Sequence, residues 1–232
     1  MERLPVPLPL DGGRRGPPGQ SLGNLGRRRR LEAGQVLLPE GQPPPAIYLL
    51  EAGALSLAVT RPSGHRIVLG VLGPGDLFGE QALLDRTGAN WGDKGVGPLL
   101  PECRAMMASR VLGLNRRDVA DASSRDAELA SWLAASLARR VSDLHRSLAR
   151  ALSLRLPERT LDLLVSLSRN WSRSSGPGAG IEVPLTQEDL AAMLGATRES
   201  VNRVVRRLER TGAISRSGRS YVVLPDGSDR AN

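Results

Sequence analysis

Residues 186–208 have the sequence TQEDLAAMLGATRESVNRVVRRL, which predicts two helices separated by a tight turn at Gly195. An α-helix advances about 100° per residue, so the apolar residues of the second helix share one narrow arc that suits a buried core. These residues are Val201, Val204, Val205 and Leu208, and the opposite side carries Glu199, Asn202, Arg203 and Arg206. Arginine can donate two hydrogen bonds to guanine, and glutamate can accept one from the cytosine amino group. The segment therefore predicts a helix-turn-helix that recognises DNA, whereas the second helix alone would suit a solvated surface.

The composition narrows the classes of partner and cofactor. The chain has 232 residues and 32 basic against 24 acidic side chains, a formal charge of +8 that favours polyanionic partners. A single cysteine, Cys103, excludes an internal disulfide and any four-cysteine site. His65 and His145 lie far apart, and His65 falls in a predicted turn. We therefore expect no metal, haem or iron–sulfur cluster.

The cellular location is inferred from hydrophobicity. No apolar run approaches the length of a membrane span, and prolines at positions 5, 7 and 9 interrupt the N-terminal apolar residues. Such an N-terminus makes a poor signal peptide. The expectation is a cytoplasmic protein with no membrane partner.

The first half of the chain predicts a β-domain. Residues 1–26, rich in proline, glycine and arginine, are interpreted as a loosely ordered arm. Short apolar segments separated by glycine turns over residues 27–125 predict a small antiparallel barrel or jelly roll. The predicted strands are residues 36–38, 47–50, 55–59, 67–72 and 106–114. The four arginines at 27–30 are interpreted as solvated charge beside the first strand, with nucleic-acid contact as the alternative.

The second half predicts helices. Over residues 126–155, Leu137, Val141, Leu144, Leu148 and Ala151 recur at spacings of four, three, four and three. This spacing is typical of a coiled-coil seam and predicts a parallel dimerisation helix; the alternative is a helix packed on its own domain. Pro157 favours a new helix over 159–168, and residues 172–180 suit a loop. Residues 212–215 and 221–224 flank a turn at Ser217-Gly218, which predicts a two-stranded wing.

The predicted fold class is therefore α+β. An N-terminal antiparallel β-barrel or jelly-roll sensor domain is followed by a long dimerisation helix with a hinge at 151–156, and by a winged helix-turn-helix over 156–232. This order resembles the bacterial cyclic-AMP receptor and fumarate–nitrate regulator (CRP/FNR) family of transcription factors over residues 30–225. Its specific motifs are TRESVNR at 197–203, LFGE at 77–80 and ARRV at 138–141. The resemblance implies a homodimer that binds double-stranded DNA and meets RNA polymerase.

The resemblance also implies roles for individual residues in DNA recognition. Arg198 and Arg203 would bond guanines and Glu199 a cytosine amino group in a TGTGA-like half-site. The further expected contacts, mainly with phosphates that fix register, are Thr186, Gln187, Thr197, Ser200 and Asn202.

The effector site matches the family less well. Glu80 is placed to bond a ribose 2′-hydroxyl, but Leu99 falls where the family has a phosphate-binding arginine. The candidate effector residues are Gly79, Glu80, Gln81, Arg86, Arg104, Leu144 and His145, with the last two aligned to side chains that meet adenine. Three alternatives stay open: a cyclic nucleotide, another nucleotide, or no effector.

Three classes of function are compatible with these patterns. The first is a homodimeric transcription regulator, and the second is a ligand-binding module whose helix-turn-helix makes protein contacts. The third, an enzyme acting on nucleotides, lacks a Gly-x-x-x-x-Gly-Lys loop or a Ser–His–Asp set in motif form. We therefore expect a regulator and not an enzyme.

Overall fold

A computed structural model describes residues 22, 25–62, 64, 66–83, 100–175, 182–217 and 220–224. Most of the predicted N-terminal arm lies outside the described residues, as do Arg86, His65, Gly218 and the end of the predicted loop at 172–180. The chain divides into two compact units. The first unit comprises Gly12–Val59 and Val71–Ser142, and the second takes in Thr60–Gly70 and the chain from Asp143 onward.

Eight strands are described in the first half of the chain, and they form two sheets. They are β1 Gly26–Leu31, β2 Val36–Leu38, β3 Ile47–Ala52, β4 Leu55–Thr60, β5 Arg66–Leu72, β6 Leu77–Phe78, β7 Glu102–Ala105 and β8 Ser109–Leu114. The sheet orders are β1-β8-β3-β6 and β2-β7-β4-β5. The α+β class and the antiparallel β-fold of the N-terminal domain are confirmed, although the two described sheets do not join into a closed barrel.

The core explains why the strands β3 and β8 of the first sheet carry apolar residues on both faces. Val111 of β8 packs with Tyr48, Leu50 and Leu55 between the two sheets. Its neighbours on β8, Leu112 and Leu114, face the other side and pack against helical residues. The helices are α1 Arg116–Arg125, which the sequence analysis missed, and α2 Ala127–Ser153, which confirms the predicted long helix. None of the described helices is both long and apolar enough to cross a lipid bilayer.

Two strand predictions were wrong for structural reasons. The predicted strand at 106–114 begins at Ser109, because β7 pairs with β2 and β4 whereas β8 pairs with β1 and β3. The chain must therefore change sheets at residues 106–108. The arginines at 27–30 do not lie beside the first strand but form it, because β1 pairs with β8 along its whole length.

The second unit contains the remaining helices and a small sheet. Its elements are α3 Leu156–Ser175, β9 Glu182–Pro184, α4 Gln187–Leu194, α5 Arg198–Arg210, β10 Ile214–Ser217 and β11 Ser220–Val223. Pro157 lies in the first turn of α3 as predicted, but the helix extends into the predicted loop. The wing sheet has three strands in the order β10-β11-β9. The third strand, β9, was not predicted because it is short and ends in a proline, which suits only an edge position.

Candidate DNA-binding surface and sensor cavity

Local hydrogen bonds define both ends of α4. The Thr186 hydroxyl accepts a hydrogen bond from the Asp189 backbone N–H at 3.1 Å, and the Asp189 carboxylate accepts one from the Thr186 N–H at 2.9 Å. This reciprocal capping box starts the helix. At the other end Gly195 adopts the left-handed conformation with φ of 59°, and the Ala196 N–H donates to the Ala191 carbonyl at 3.0 Å. Gly195 and this hydrogen bond thus end α4 and form the turn that leads into α5.

The second helix of the motif, α5, is anchored by its apolar side. Thr197 is its N-cap, and its hydroxyl accepts a hydrogen bond from the Ser200 backbone N–H at 3.2 Å. Val201 and Val205 have no exposed surface and Leu208 is buried, which confirms the predicted stripe. Val204, at the edge of the stripe, is half-buried. The polar side of α5 therefore faces outward.

The outward side of α5 is strongly basic. Five arginines against two glutamates in its 13 residues give the helix a formal charge of 5 − 2 = +3. At 1.5 Å per residue the helix is about 20 Å long, and its polar side lines an open groove. The groove residues are Glu199, Asn202, Arg203, Arg206, Glu209 and Arg210. Guanidinium groups on an exposed helix of this kind suit the base edges and phosphates of DNA.

Arg159 of α3 was not predicted to take part in this surface, but it supports the turn between α4 and α5. Its Nη2 donates to the backbone carbonyl of Leu194 at 2.7 Å. Burial lowers the pKa of Arg159, although an arginine stays protonated at neutral pH. The positive charge at the C-terminal end of α4 also interacts favourably with the helix dipole. An arginine on an amphipathic helix is usually solvated, so the sequence carries no signal for this contact.

Several expected phosphate contacts already have partners within the chain. The Thr186 hydroxyl donates to the Asp189 carboxylate at 2.6 Å, and the Thr197 hydroxyl donates to Ser200 Oγ at 2.8 Å. Gln187 Nε2 donates to Asn202 Oδ1 at 3.5 Å, which links α4 to α5. A phosphate would have to compete for these donors. The Ser200 hydroxyl accepts the bond from Thr197, so this bond leaves its own proton unused.

A cavity in the first unit contains part of the predicted effector site. Its volume is about 30 Å³, and its lining residues are Leu38, Gln42, Pro44, Leu57, Phe78, Gly79, Glu80, Gln81, Leu100, Pro101 and Arg140. Gly79 has φ of +75°, and a Cβ there would lie 2.8 Å from the Ala46 carbonyl oxygen. The position therefore requires glycine. The Phe78 ring stacks on Tyr48 with centroids 5.2 Å apart.

The charged groups of the cavity pair with each other. Arg140 Nε lies 3.6 Å from Glu80 Oε1, and the two side chains are 27% and 29% exposed. Gln81 Nε2 donates to the same Glu80 oxygen at 3.3 Å. Arg140 was not among the residues predicted for this site, and its only signal in the sequence was its place in the ARRV motif.

The remaining predicted effector residues do not line the cavity. Arg104 makes two hydrogen bonds to the Glu102 carboxylate, at 2.9 and 2.7 Å, and a third to the Gly34 carbonyl at 3.0 Å. On β7 it alternates with the buried Cys103 and Ala105, so it points away from the core. Burial raises the pKa of the Cys103 thiol to about 12. Leu144 and His145 lie exposed on α2, and Arg86 is outside the described residues.

An apolar stripe runs along the exposed side of α2. Val141, Leu144, Leu148 and Leu152 are 51%, 43%, 47% and 72% exposed. They follow each other at spacings of three, four and four, which places them on one face. Leu137 and Ala151, also predicted for this face, are half-buried. Leu152, the most exposed of the stripe, was not predicted.

Two parts of the chain match known domain families. Residues 28–126 match the cyclic nucleotide-binding domain, and residues 158–228 match the Crp-like helix-turn-helix domain. The cyclic AMP receptor protein of Thermus thermophilus is 30% identical over 188 residues, which cover 81% of this chain and 79% of that protein. The CRP-like cAMP-activated global transcriptional regulator of Mycobacterium tuberculosis is 25% identical over 190 residues, covering 82% and 80%.

Solved structures that resemble this chain are also transcription regulators of this kind. A CRP/FNR-family transcriptional regulator from Thermus thermophilus has a TM-score of 0.69 at 25% identity, over 88% of this chain and 95% of its own. A second CRP-family regulator from that organism has a TM-score of 0.70 at 26% identity, over 87% and 93%. The fold is that of a DNA-binding transcription regulator. The chain belongs to the CRP/FNR family.

Proposed function

We propose that this regulator acts as a homodimer that recognises a TGTGA-like palindrome through α5. One observation carries the proposal: Glu199 and Arg203 lie exposed on the outward side of α5 and Arg198 lies exposed in its first turn, while Val201, Val205 and Leu208 are buried on the opposite side. In the major groove, the two arginines would pair with guanine and the glutamate with cytosine. Bound at promoters in the bacterial cytoplasm, such a dimer would meet RNA polymerase.

The stripe on α2 supports the dimer. Complete burial of a valine or leucine side chain contributes about 1.5–3 kcal/mol, so covering these half-exposed side chains would contribute on the order of 1 kcal/mol each. Two copies related by a two-fold axis would present two α5 helices about 34 Å apart, one turn of DNA. The dimer interface on α2 and the palindromic DNA site therefore belong to one proposal, because the same two-fold axis relates both.

Light scattering after size exclusion tests the dimer. Leu148→Glu would place a charge in the stripe and is expected to give a monomer that binds DNA weakly. Ser142→Glu adds the same charge to an exposed position on another face of α2 and should leave the dimer intact. A wild-type monomer, or a Leu148→Glu dimer, would contradict the proposed interface.

Fluorescence anisotropy with palindromic and scrambled duplexes tests recognition. Arg203→Ala is expected to cost about 1–3 kcal/mol on the cognate site and to relax preference at one base pair. Arg210→Ala, at the far end of α5, removes the same charge and should weaken both duplexes equally. Equal losses on the two duplexes for Arg203→Ala would refute the base contact. A wild-type protein that binds both equally would favour a helix-turn-helix used for protein contacts.

A further inference from the structure

The junction between α2 and α3 is short and hydrogen-bonded on both sides. Leu154 and Arg155 are the two residues that separate the helices. The Leu154 N–H donates to the Arg150 carbonyl at 2.8 Å, and the Arg155 N–H donates to the Glu158 carboxylate at 2.7 Å. Because each residue contributes only its φ and ψ rotations, a linker of this length leaves few ways to change the angle between the helices. One further contact across the junction is therefore enough to restrict that angle.

An ion pair supplies this contact. Arg150 Nη1 of α2 donates to Asp162 Oδ2 of α3 at 2.7 Å, and the two side chains are 35% and 33% exposed. Arg150 lies before the linker and Asp162 after it, so the bond spans the junction. Charge-assisted hydrogen bonds of this length are among the strong ones. On the same side of α2, Ser147 is buried and Leu154 is half-buried.

Another side of this part of α2 carries the proposed dimer contact. The exposed stripe residues Leu144, Leu148 and Leu152 lie in the same unit as Arg150. At 100° per residue, the stripe is roughly 130° around the helix from the side that carries Arg150. One helical segment therefore bonds to α3 of its own chain and, in the proposed dimer, packs against a second copy.

The helix α3 is in turn joined to the recognition helix. It contacts both α4 and α5, and Arg159 donates to the Leu194 carbonyl in the turn between them. A change in the angle between α2 and α3 would therefore move α5 relative to the dimer surface. A rotation of about 10° displaces one end of a helix about 20 Å long by about 3.5 Å. That displacement is close to the rise of one base pair, about 3.4 Å.

We propose that Arg150 and Asp162 are positioning residues that set the half-site spacing accepted by the dimer. With the ion pair formed, the two α5 helices keep one separation, so one spacer length between the half-sites allows both helices to bind. One added base pair moves a half-site by about 3.4 Å and turns it by roughly 35° about the DNA axis. This inference rests on the proposed DNA-binding homodimer.

Fluorescence anisotropy with three palindromes tests the inference. Their half-sites are identical, and their spacers have the preferred length, one base pair more or one base pair fewer. The wild type should bind the preferred spacer at least tenfold more tightly than either of the others. Arg150→Gln and Asp162→Asn should each reduce this preference to below threefold. Affinity for a duplex with one half-site should change less than twofold, because α5 itself is untouched.

Two further variants test whether the ion pair is the cause. The exchange Arg150→Asp with Asp162→Arg rebuilds an ion pair across the junction and should restore most of the preference for one spacer. Arg146→Gln removes an exposed ion pair with Asp143 within α2 and should keep the tenfold preference of the wild type.

A distance measurement without DNA gives an independent readout. Arg207→Cys places a thiol on the exposed surface of α5, and Cys103→Ala removes the native thiol. Nitroxide labels at position 207 of the two subunits then report the separation of the α5 helices by double electron–electron resonance. The distance distribution should be at least twice as wide after Arg150→Gln.

The possible outcomes are distinct. If Arg150→Gln and Asp162→Asn keep the wild-type preference for one spacer, or if Arg150→Gln leaves the distance distribution unchanged, the positioning role is overturned. It is also overturned if the exchange variant folds by circular dichroism but restores nothing. A wild type that prefers no spacer, yet binds the palindromes better than scrambled DNA, refutes this role alone. A wild type that treats palindromic and scrambled DNA alike refutes the proposed function. If the exchange variant does not fold, the single variants and Arg146→Gln decide.

Discussion

Replacing Arg159 with methionine tests whether α3 positions the turn of the helix-turn-helix. The change keeps most of the apolar stem but removes the hydrogen bond from the guanidinium to the Leu194 carbonyl at 2.7 Å. A hydrogen bond to a charged group contributes about 1.5–3 kcal/mol. Arg159 is only partly buried, so the lower half of that range applies. Loss of a cation at the end of α4 adds about 0.3–1 kcal/mol.

Arg159→Met should therefore destabilise the second unit by about 2 kcal/mol, measured by urea unfolding with circular dichroism. Because the turn leads directly into α5, we also expect affinity for the palindrome to fall about tenfold, equivalent to about 1.4 kcal/mol. Arg159→Lys keeps the positive charge but not the planar guanidinium group. It should therefore recover part of the lost stability and part of the lost DNA affinity.

The matched control is Arg155→Met, which removes an exposed arginine just before α3. It should leave stability unchanged within about 0.5 kcal/mol, as for most surface changes. The reasoning is refuted if Arg159→Met unfolds at the same urea concentration as Arg155→Met. It is also refuted if affinity for palindromic and scrambled DNA falls equally, since loss of charge alone would explain that result.

Three further predictions concern single residues. Gly195→Ala should destabilise the second unit by about 1 kcal/mol in urea unfolding, because a left-handed residue with a Cβ is strained. Gly79→Ala should lower the melting temperature more than Gly34→Ala does. Both glycines have positive φ, but of the two only Gly79 would bring a Cβ to 2.8 Å from a backbone oxygen. Equal losses in melting temperature would contradict the close contact. The raised pKa of Cys103 makes stability depend on pH. The unfolded thiol loses its proton near pH 9 and the folded thiol near pH 12, so wild-type stability should fall relative to Cys103→Ala between these values, by up to about 1.4 kcal/mol per pH unit. A difference between the two proteins that stays constant from pH 8 to pH 10 would argue against a buried neutral thiol.

The elements that local patterns specify were predicted well from the sequence. The stripe at Val201, Val205 and Leu208 and the glycine at 195 were sufficient to predict the helix-turn-helix, although Arg159 of α3 also supports its turn. The long helix α2 was equally clear, because its apolar period continues over about four turns from Leu137 to Ala151. Local periodicity and turn chemistry are sufficient for such elements.

Other elements depend on pairing between distant residues and could not be found in this way. A run of four arginines has no strand signal, and β1 forms only because β8 offers it a partner. The break between β7 and β8 at 106–108 comes from a change of sheet, which hydrophobic alternation does not record. The same holds for the site: Arg140 and Arg159 act through contacts 60 and 35 residues away in the chain.

The arginine-rich strand β1 has a consequence for how copies of this protein can meet. Among the described residues β1 forms one end of its sheet and pairs with β8 alone. An exposed strand edge invites a second chain to extend the sheet, but two such edges side by side would bring eight guanidinium groups together. Electrostatic repulsion therefore protects this edge against sheet-to-sheet aggregation. In the proposed homodimer, the geometry of association would therefore depend on repulsion at β1 as well as on attraction at the apolar stripe of α2.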